Sequence, residues 1–418
     1  MKKAYRILLL ATFMVMAGIA QMNAQGITSP YSKFGYGLLG DGATGIQRTM
    51  GGVGYAMQNG RLVNSMNPAS YAATDTLTFL FDMGLDLTQL WSKDGENKGT
   101  AFGGGLDYIT MQFPIGKYMG ASIGVVPFSS VGYAYGKTID NGVDYRSGEG
   151  GINQLYAGYG IRPFKGFSVG FNASYVFGTI VNDAIAQNAT SGSSTLYERM
   201  ISVRDWGLQF GAQYTYQFSR RNRATIGLVY GLGKSLHGDT WGTYYDTQDK
   251  KVVSTDTIGM GGKYTIPATY GLGLSYTWNN KLTAEVDVTY QQWTKAKFTP
   301  LPSFDVDGTT LDFNDRIRVG MGLSFQPDDR GSYGKRITYR AGAYYNRDYM
   351  NIRGNQVRDY GVGVGVSLPV PGGKTLVNLG VEYKHRESSP VKLVTEDYLN
   401  ITFGVTFNEM WFWQNKIR

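Results

Sequence analysis

Residues able to do chemistry are few. The chain has two histidines, His237 and His385, and no cysteine. Neither histidine has a ligand-spaced companion, so no metal site is assigned. A nucleophilic triad would need one of them beside Ser and Asp, and no spacing indicates it. Gly103-Gly104-Gly105 reads as strand glycines, not as a phosphate loop. No catalytic residue and no cofactor is expected. What remains is a set of carboxylates, each with an apolar residue on either side: Asp82, Asp86, Glu285, Asp287 and Glu382.

That flanking defines the elements that carry them. From Leu77 the odd positions run Leu77, Phe79, Phe81, Met83, Leu85, Leu87, against Thr78, Leu80, Asp82, Gly84, Asp86, Thr88. Period two with one apolar face is a half-buried strand. Similar alternation recurs around Leu282–Tyr290, Val377–Tyr383 and Leu399–Phe407. Strands in globular proteins average about 5–6 residues, whereas membrane strands need roughly 9–11. The length of these runs favours a transmembrane antiparallel β-barrel. Charge recurring on the inward face fits a wet, lumen-facing polar surface better than a dry sandwich core.

Fourteen strands are predicted: 76–90, 101–114, 117–130, 151–162, 165–181, 197–217, 223–236, 262–278, 281–294, 312–325, 337–347, 356–369, 374–387 and 396–409. An even number suits a bacterial barrel. Short turns such as Asn279-Asn280 alternate with longer polar loops, notably 131–150, 182–196 and 237–261. The short turns are assigned to the periplasmic rim and the loops to the outside. Trp91, Trp278 and Trp293 fall at strand ends, where an indole suits the headgroup level; core tryptophans are the alternative.

Composition agrees. Gly 58, Tyr 31 and Phe 20 in 418 residues are high, as barrels require for curvature and aromatic girdles. The net charge of +8 is spread without a basic run, which excludes a nucleic-acid footprint. Lys2, Lys3 and Arg6 precede an apolar run from Leu8 to Ala20, too short to span a bilayer as a helix. Residues 1–24 are therefore expected to be a signal peptide for export, with the barrel residing in the cell outer membrane.

Residues 25–75 precede the strands. Glycines leave room for a short helix at most between Gly40 and Met57. The segment breaks at Asn67-Pro68-Ala69, just before the alternation begins. The residues alone allow a plug inside the barrel or an ordinary leader. In the third strand, Pro127 cannot donate to the ladder and Gly124 tolerates unusual backbone angles. A bulge with or without a gap follows. Residues 410–418 form an aromatic-basic tail that anchors at headgroups or docks a partner.

Taken together, the leader, the small-residue segment ending in Asn67-Pro68-Ala69 and the fourteen strands resemble the FadL-type outer-membrane transport proteins. The likeness covers essentially the whole mature chain. It implies that Asn67, Pro68 and Ala69 belong to an N-terminal hatch inside the barrel. It also implies that Gly124 and Pro127 kink the third strand to make a lateral opening. The function implied is passive uptake of hydrophobic compounds, such as a long-chain fatty acid, by lateral diffusion into the membrane. Expected partners are outer-membrane lipids, hydrophobic small molecules and other outer-membrane or periplasmic proteins, with no nucleic acid and no enzymatic activity. The alternative is a non-transporting barrel subunit of a protein secretion or assembly machine, because fold does not fix function.

Overall fold

The computed structural model describes residues 29–188, 193–248, 251–259, 264–298 and 311–410. The expected signal peptide and the tail at 411–418 lie outside them. Fourteen antiparallel strands close into a barrel. The first seven are β1 (Thr78–Asp94), β2 (Asn97–Gly116), β3 (Met119–Ile139), β4 (Gly142–Phe164), β5 (Phe167–Asn188), β6 (Ser194–Gln217) and β7 (Arg223–Gly231). The rest are β8 (Thr269–Trp278), β9 (Leu282–Gln291), β10 (Arg316–Phe325), β11 (Thr338–Ile352), β12 (Asn355–Pro369), β13 (Leu376–Ser389) and β14 (Thr395–Met410). Pairing of β14 with β1, from Thr78↔Met410 to Lys93↔Thr395, shuts the wall and leaves no terminal edge.

Alternation sets the two faces. Along β1, Leu80, Asp82, Gly84, Thr88 and Leu90 are buried inside while their neighbours point outward. Exposed outward rings and aliphatics, such as Leu228, Tyr276 and Val286, form the apolar exterior. At one rim the turns are tight. Asn279 and Asn280 both take positive φ, at 54° and 53°, the conformation that lets a two-residue hairpin follow the twist of its strands.

Several expected loops are strand instead. Residues 131–150, 182–188 and 194–196 continue the ladders of β3, β4, β5 and β6 well past the apolar band. Segment 237–261 is a hairpin, Gly238–Gln248 with Lys251–Gly259, whose first arm pairs with the upper part of β6. Their polar composition reads as loop, but a strand beyond the bilayer faces water and needs no apolar side. The turn at 326–336 holds one helical turn, Tyr333–Arg336.

Trp91 and Trp278 stand exposed on the exterior, as a girdle requires. Trp293 does not. It is 0% exposed and packs inside on Tyr349, with ring centroids 4.4 Å apart, and on Tyr36 at 5.7 Å. The chain leaves the ladder after Gln291 and a short 3-10 turn, Trp293–Lys295, folds the indole inward. The core reading of that tryptophan is the one the structure bears out.

Candidate functional site

Residues 29–77 fill the barrel interior, so the N-terminal segment is a plug. Between Gly40 and Met57 the chain holds one α-helical turn, Gly45–Arg48, capped by Thr44, whose N–H Gln47 Oε1 accepts at 2.8 Å. Asn67-Pro68-Ala69 opens a 3-10 helix, Pro68–Ala73. Pro68 suits the first helical position, where no N–H is needed. Asn67 Oδ1 accepts the N–H of Ala69 at 3.0 Å, and its Nδ2 donates to Tyr55 O at 2.7 Å. The same Nδ2 approaches the carbonyls of Ala212 on β6 and Leu228 on β7, at 3.4 and 3.5 Å. Asn67 thus ties the plug to the wall. Gly211 and Gly170 make room: a Cβ on Gly211 would overlap Asn67 Oδ1, and one on Gly170 would lie 2.6 Å from the Pro68 carbonyl.

The inward carboxylates meet this plug. Asp82, Glu285, Asp287 and Glu382 are all under a tenth exposed, and Asp86 is half-buried. The wet lumen expected from their charge is, at this depth, packed with polypeptide. These side chains lie on the face opposite the exposed apolar one, and Asp287 there satisfies plug backbone. Asp287 Oδ2 accepts the N–H groups of Gly54 and Tyr55 at 2.6 and 2.8 Å. Thr406 donates to Asp82 at 2.9 Å, and Asn400 to Glu382 at 3.2 Å.

Ion pairs complete the seat. Arg316 Nη2 lies 2.8 Å from Asp41 Oδ1 and Arg318 Nη2 3.3 Å from Asp41 Oδ2. Burial alone would raise the Asp41 carboxyl, yet the Arg318 and Arg316 guanidiniums hold it below the usual carboxylate range. Arg318 also donates to the carbonyls of Gly51 and Gly52. Arg48, on the helical turn, reaches Asp107 at 2.7 Å. Burial pushes the Tyr55 phenol up to about 12 while Thr289 shares its hydrogen bond at 2.9 Å. Arg318 lies on the inward polar face that the alternation marks, but Asp41, Arg316 and Arg48 did not stand out in the sequence, since none sits in a motif and their partners are far along the chain.

The wall is interrupted beside the plug. β2 and β3 pair from Gly116↔Met119 to Ile109↔Val125 and no further. Above that point β2 pairs only with β1, where Asp107 is an extra residue between Tyr108 and Leu106. β3 carries its own extra residue, Phe128, between Pro127 and Ser129. Two bulges therefore frame the break, and each re-aims its strand. Before it Ile123 and Val125 point outward; after it Val131 and Tyr133 point inward. The plug takes the freed edge of β3: Leu38 pairs with Ser130, Leu39 with Ser129, and Gly40 N–H donates to Phe128 O at 2.8 Å. Ser29 N–H donates to Gly132 O at 2.6 Å.

Pro127 thus stands at the bulge. Gly124 has a different part. A Cβ there would lie 2.6 Å from Ile109 O, so it permits close approach of β2 at the last pairs before the break. A cavity of 190 Å³ lies between plug and wall, lined by Asp41, Tyr55, Arg316 and Arg318 on one side and by Val126, Pro127 and Phe128 on another.

The histidines do acquire companions through the fold: His237 Nδ1 lies 3.2 Å from Asp205 and His385 Nδ1 2.7 Å from Asp397. Among the described residues no group of three or more potential ligands could hold a metal ion.

A closed barrel of fourteen antiparallel strands is the fold of the FadL-type outer-membrane proteins. The toluene transporter TbuX of Ralstonia pickettii is similar at TM-score 0.57 and 15% identity, covering 88% of this chain and 98% of that one. A Pseudomonas aeruginosa FadL homologue aligns at TM-score 0.64 and 12% identity, covering 87% and 98%. The P. putida toluene transporter TodX aligns at 0.58 and 13%, covering 90% and 100%. No curated protein matches the sequence. The chain belongs to the BamG family, whose sequence profile matches residues 1–418.

Proposed function

We propose that this protein is an outer-membrane barrel that passes hydrophobic compounds passively, releasing them sideways into the bilayer between β2 and β3. The carrying observation is the pair of bulges at Asp107 and Phe128, which end the ladder beside a cavity lined by Pro127 and Phe128. Unpaired backbone facing lipid is costly, so a break persists only where protein lines it. The cavity's 190 Å³ suits one compact ring better than a long acyl chain, since about 150 Å³ holds benzene. Its arginines and Asp41 would orient a polar substituent. Passage needs no reacting group and no energy source. The toluene transporters of like fold support this substrate class. In this reading residues 1–24 direct export, and the barrel itself inserts in the outer membrane.

A second reading is a structural barrel within a protein secretion or assembly machine. It is favoured by the seal on the break, where Leu38, Leu39 and Ser29 occupy the freed edge of β3. Membership in BamG, a family named apart from those transporters, points the same way.

One crosslink separates the two. The chain has no cysteine, so Leu39→Cys with Ser129→Cys gives a single disulfide between directly paired residues. Under transport, vesicles carrying the oxidised pair lose uptake of an aromatic hydrocarbon and regain it on reduction. Absence of uptake in both states, with stoichiometric proteins retained in mild detergent, selects the subunit.

A further inference from the structure

On the exterior of β6 to β9, bulky and small side chains alternate across the strands at one level. Tyr216 pairs with Ala224, Ala224 with Tyr276, and Tyr276 with Ala284. Rings therefore stand on both sides of Ala224 and leave a furrow between them. Phe218 leans over its rim end, edge-on to Tyr216 at 4.8 Å and to Tyr276 at 6.3 Å. The hollow measures 430 Å³ and its floor runs toward Ile226 and Leu274.

Below the furrow, at the short-turn rim, lies a second hollow of 380 Å³ lined by Arg220, Arg221, Trp278 and Asn279. Two turns are locked together there. Asn279 N–H donates to Asn222 Oδ1 at 2.7 Å, and Asn280 N–H to Arg221 O at 2.9 Å. Arg221 reaches only Asn279 Oδ1, at 3.4 Å, and neither arginine has a carboxylate partner among the described residues. Trp278 is 57% exposed between the two hollows.

We infer that this is a binding site for an anionic phospholipid of the inner leaflet. The phosphate sits on Arg220 and Arg221, and one acyl chain lies in the furrow over Ala224. A guanidinium grips phosphate through paired N–H groups, and a lipid supplies both the charge and the apolar tail at the required separation. From Trp278 to Leu274 the strand runs roughly 13 Å, matching the upper part of an acyl chain. A zwitterionic lipid offers the same phosphate with a cation beside it, so it offsets the two arginines less. The inference rests on the membrane placement proposed above and is independent of transport.

Native mass spectrometry of detergent-purified protein offered phosphatidylglycerol and phosphatidylcholine together tests it. The wild type is expected to retain phosphatidylglycerol with roughly 30-fold preference, the effect of two arginines near anionic charge. Arg220→Gln with Arg221→Gln brings the preference near parity, while Arg330→Gln with Arg336→Gln, on another rim turn, leaves it intact. Ala224→Phe fills the furrow and lowers retention of both lipids; Ala224→Leu replaces it if the larger ring blocks assembly. Parity in the wild type, a preference that survives the Arg220/Arg221 change, or a protein retained over the furrow in place of lipid overturns the site.

Discussion

The carboxylate of Asp287 takes the backbone N–H of Gly54 at 2.6 Å, across 233 positions of sequence. Tyr55 donates to the same oxygen at 2.8 Å. An acidic residue on the inward face of β9 thus does for the plug what a neighbouring strand would do: it satisfies buried donors. Wall and plug are one hydrogen-bonded body. Asp287→Ala strands two buried N–H groups and is expected to cost about 2–5 kcal/mol. Urea titration of the purified barrel and protease release of the plug check it, and the plug should detach before the wall unfolds.

Asn67 is the second fastening. Asn67→Ala removes the contacts to Ala69 and Tyr55 and is expected to cost about 2–3 kcal/mol. Gly211→Val acts from the other side by overlapping Asn67. The pair should be non-additive, since both break one contact region. A double-mutant cycle on the denaturant midpoint reads this, and strict additivity would mean that the two do not meet.

The Asp41 ion pairs give a pH dependence whose sign is fixed. The carboxyl titrates lower in the folded protein than its ordinary value of about 3.9. Its contribution is fully present above that ordinary value and is lost as pH falls through the depressed one. The Asp41 contribution to plug docking, read as wild type minus Asp41→Asn, should therefore be flat from pH 8 to 5 and weaken only in strong acid. Asp41→Asn should show the weakened state at pH 7, by about 1–3 kcal/mol, with the acid step gone. Protection of plug amides from hydrogen exchange across pH is the measurement.

At the break, Gly124 and Pro127 should behave oppositely. Gly124→Val pushes a side chain against Ile109 O and is expected to cost about 1–3 kcal/mol through overpacking. Pro127→Val restores one N–H beside the bulge and should leave heat resistance unchanged or raise it. If the break serves release, Pro127→Val also lowers uptake of an aromatic hydrocarbon in vesicles. Equal losses of stability in both variants would show that Gly124 is no special contact.

Much of the wall is legible in the sequence because a strand's two faces are written in adjacent residues. The inward placement of Asp82, Glu285, Asp287 and Glu382 needed only the period of two. Trp293 was misleading because its position at a strand end is shared by girdle and core residues; only the turn after Gln291 aims the ring. Segments 131–150 and 237–261 were hidden for a related reason. Strands above the bilayer lose the apolar face that announces them.

What the sequence by itself determined is therefore what neighbouring residues encode: the number of wall strands, their inward faces, the turn at Asn67-Pro68-Ala69 and the missing donor at Pro127. What the tertiary structure alone decided is which distant groups meet. Asp41 finds Arg316 and Arg318, Leu39 finds Ser129, and Arg48 finds the bulged Asp107. Those pairings have no local signature, because a plug's register against a closed wall follows from the shape of the lumen and the sum of its contacts. Each residue type alone is as ordinary as any surface charge.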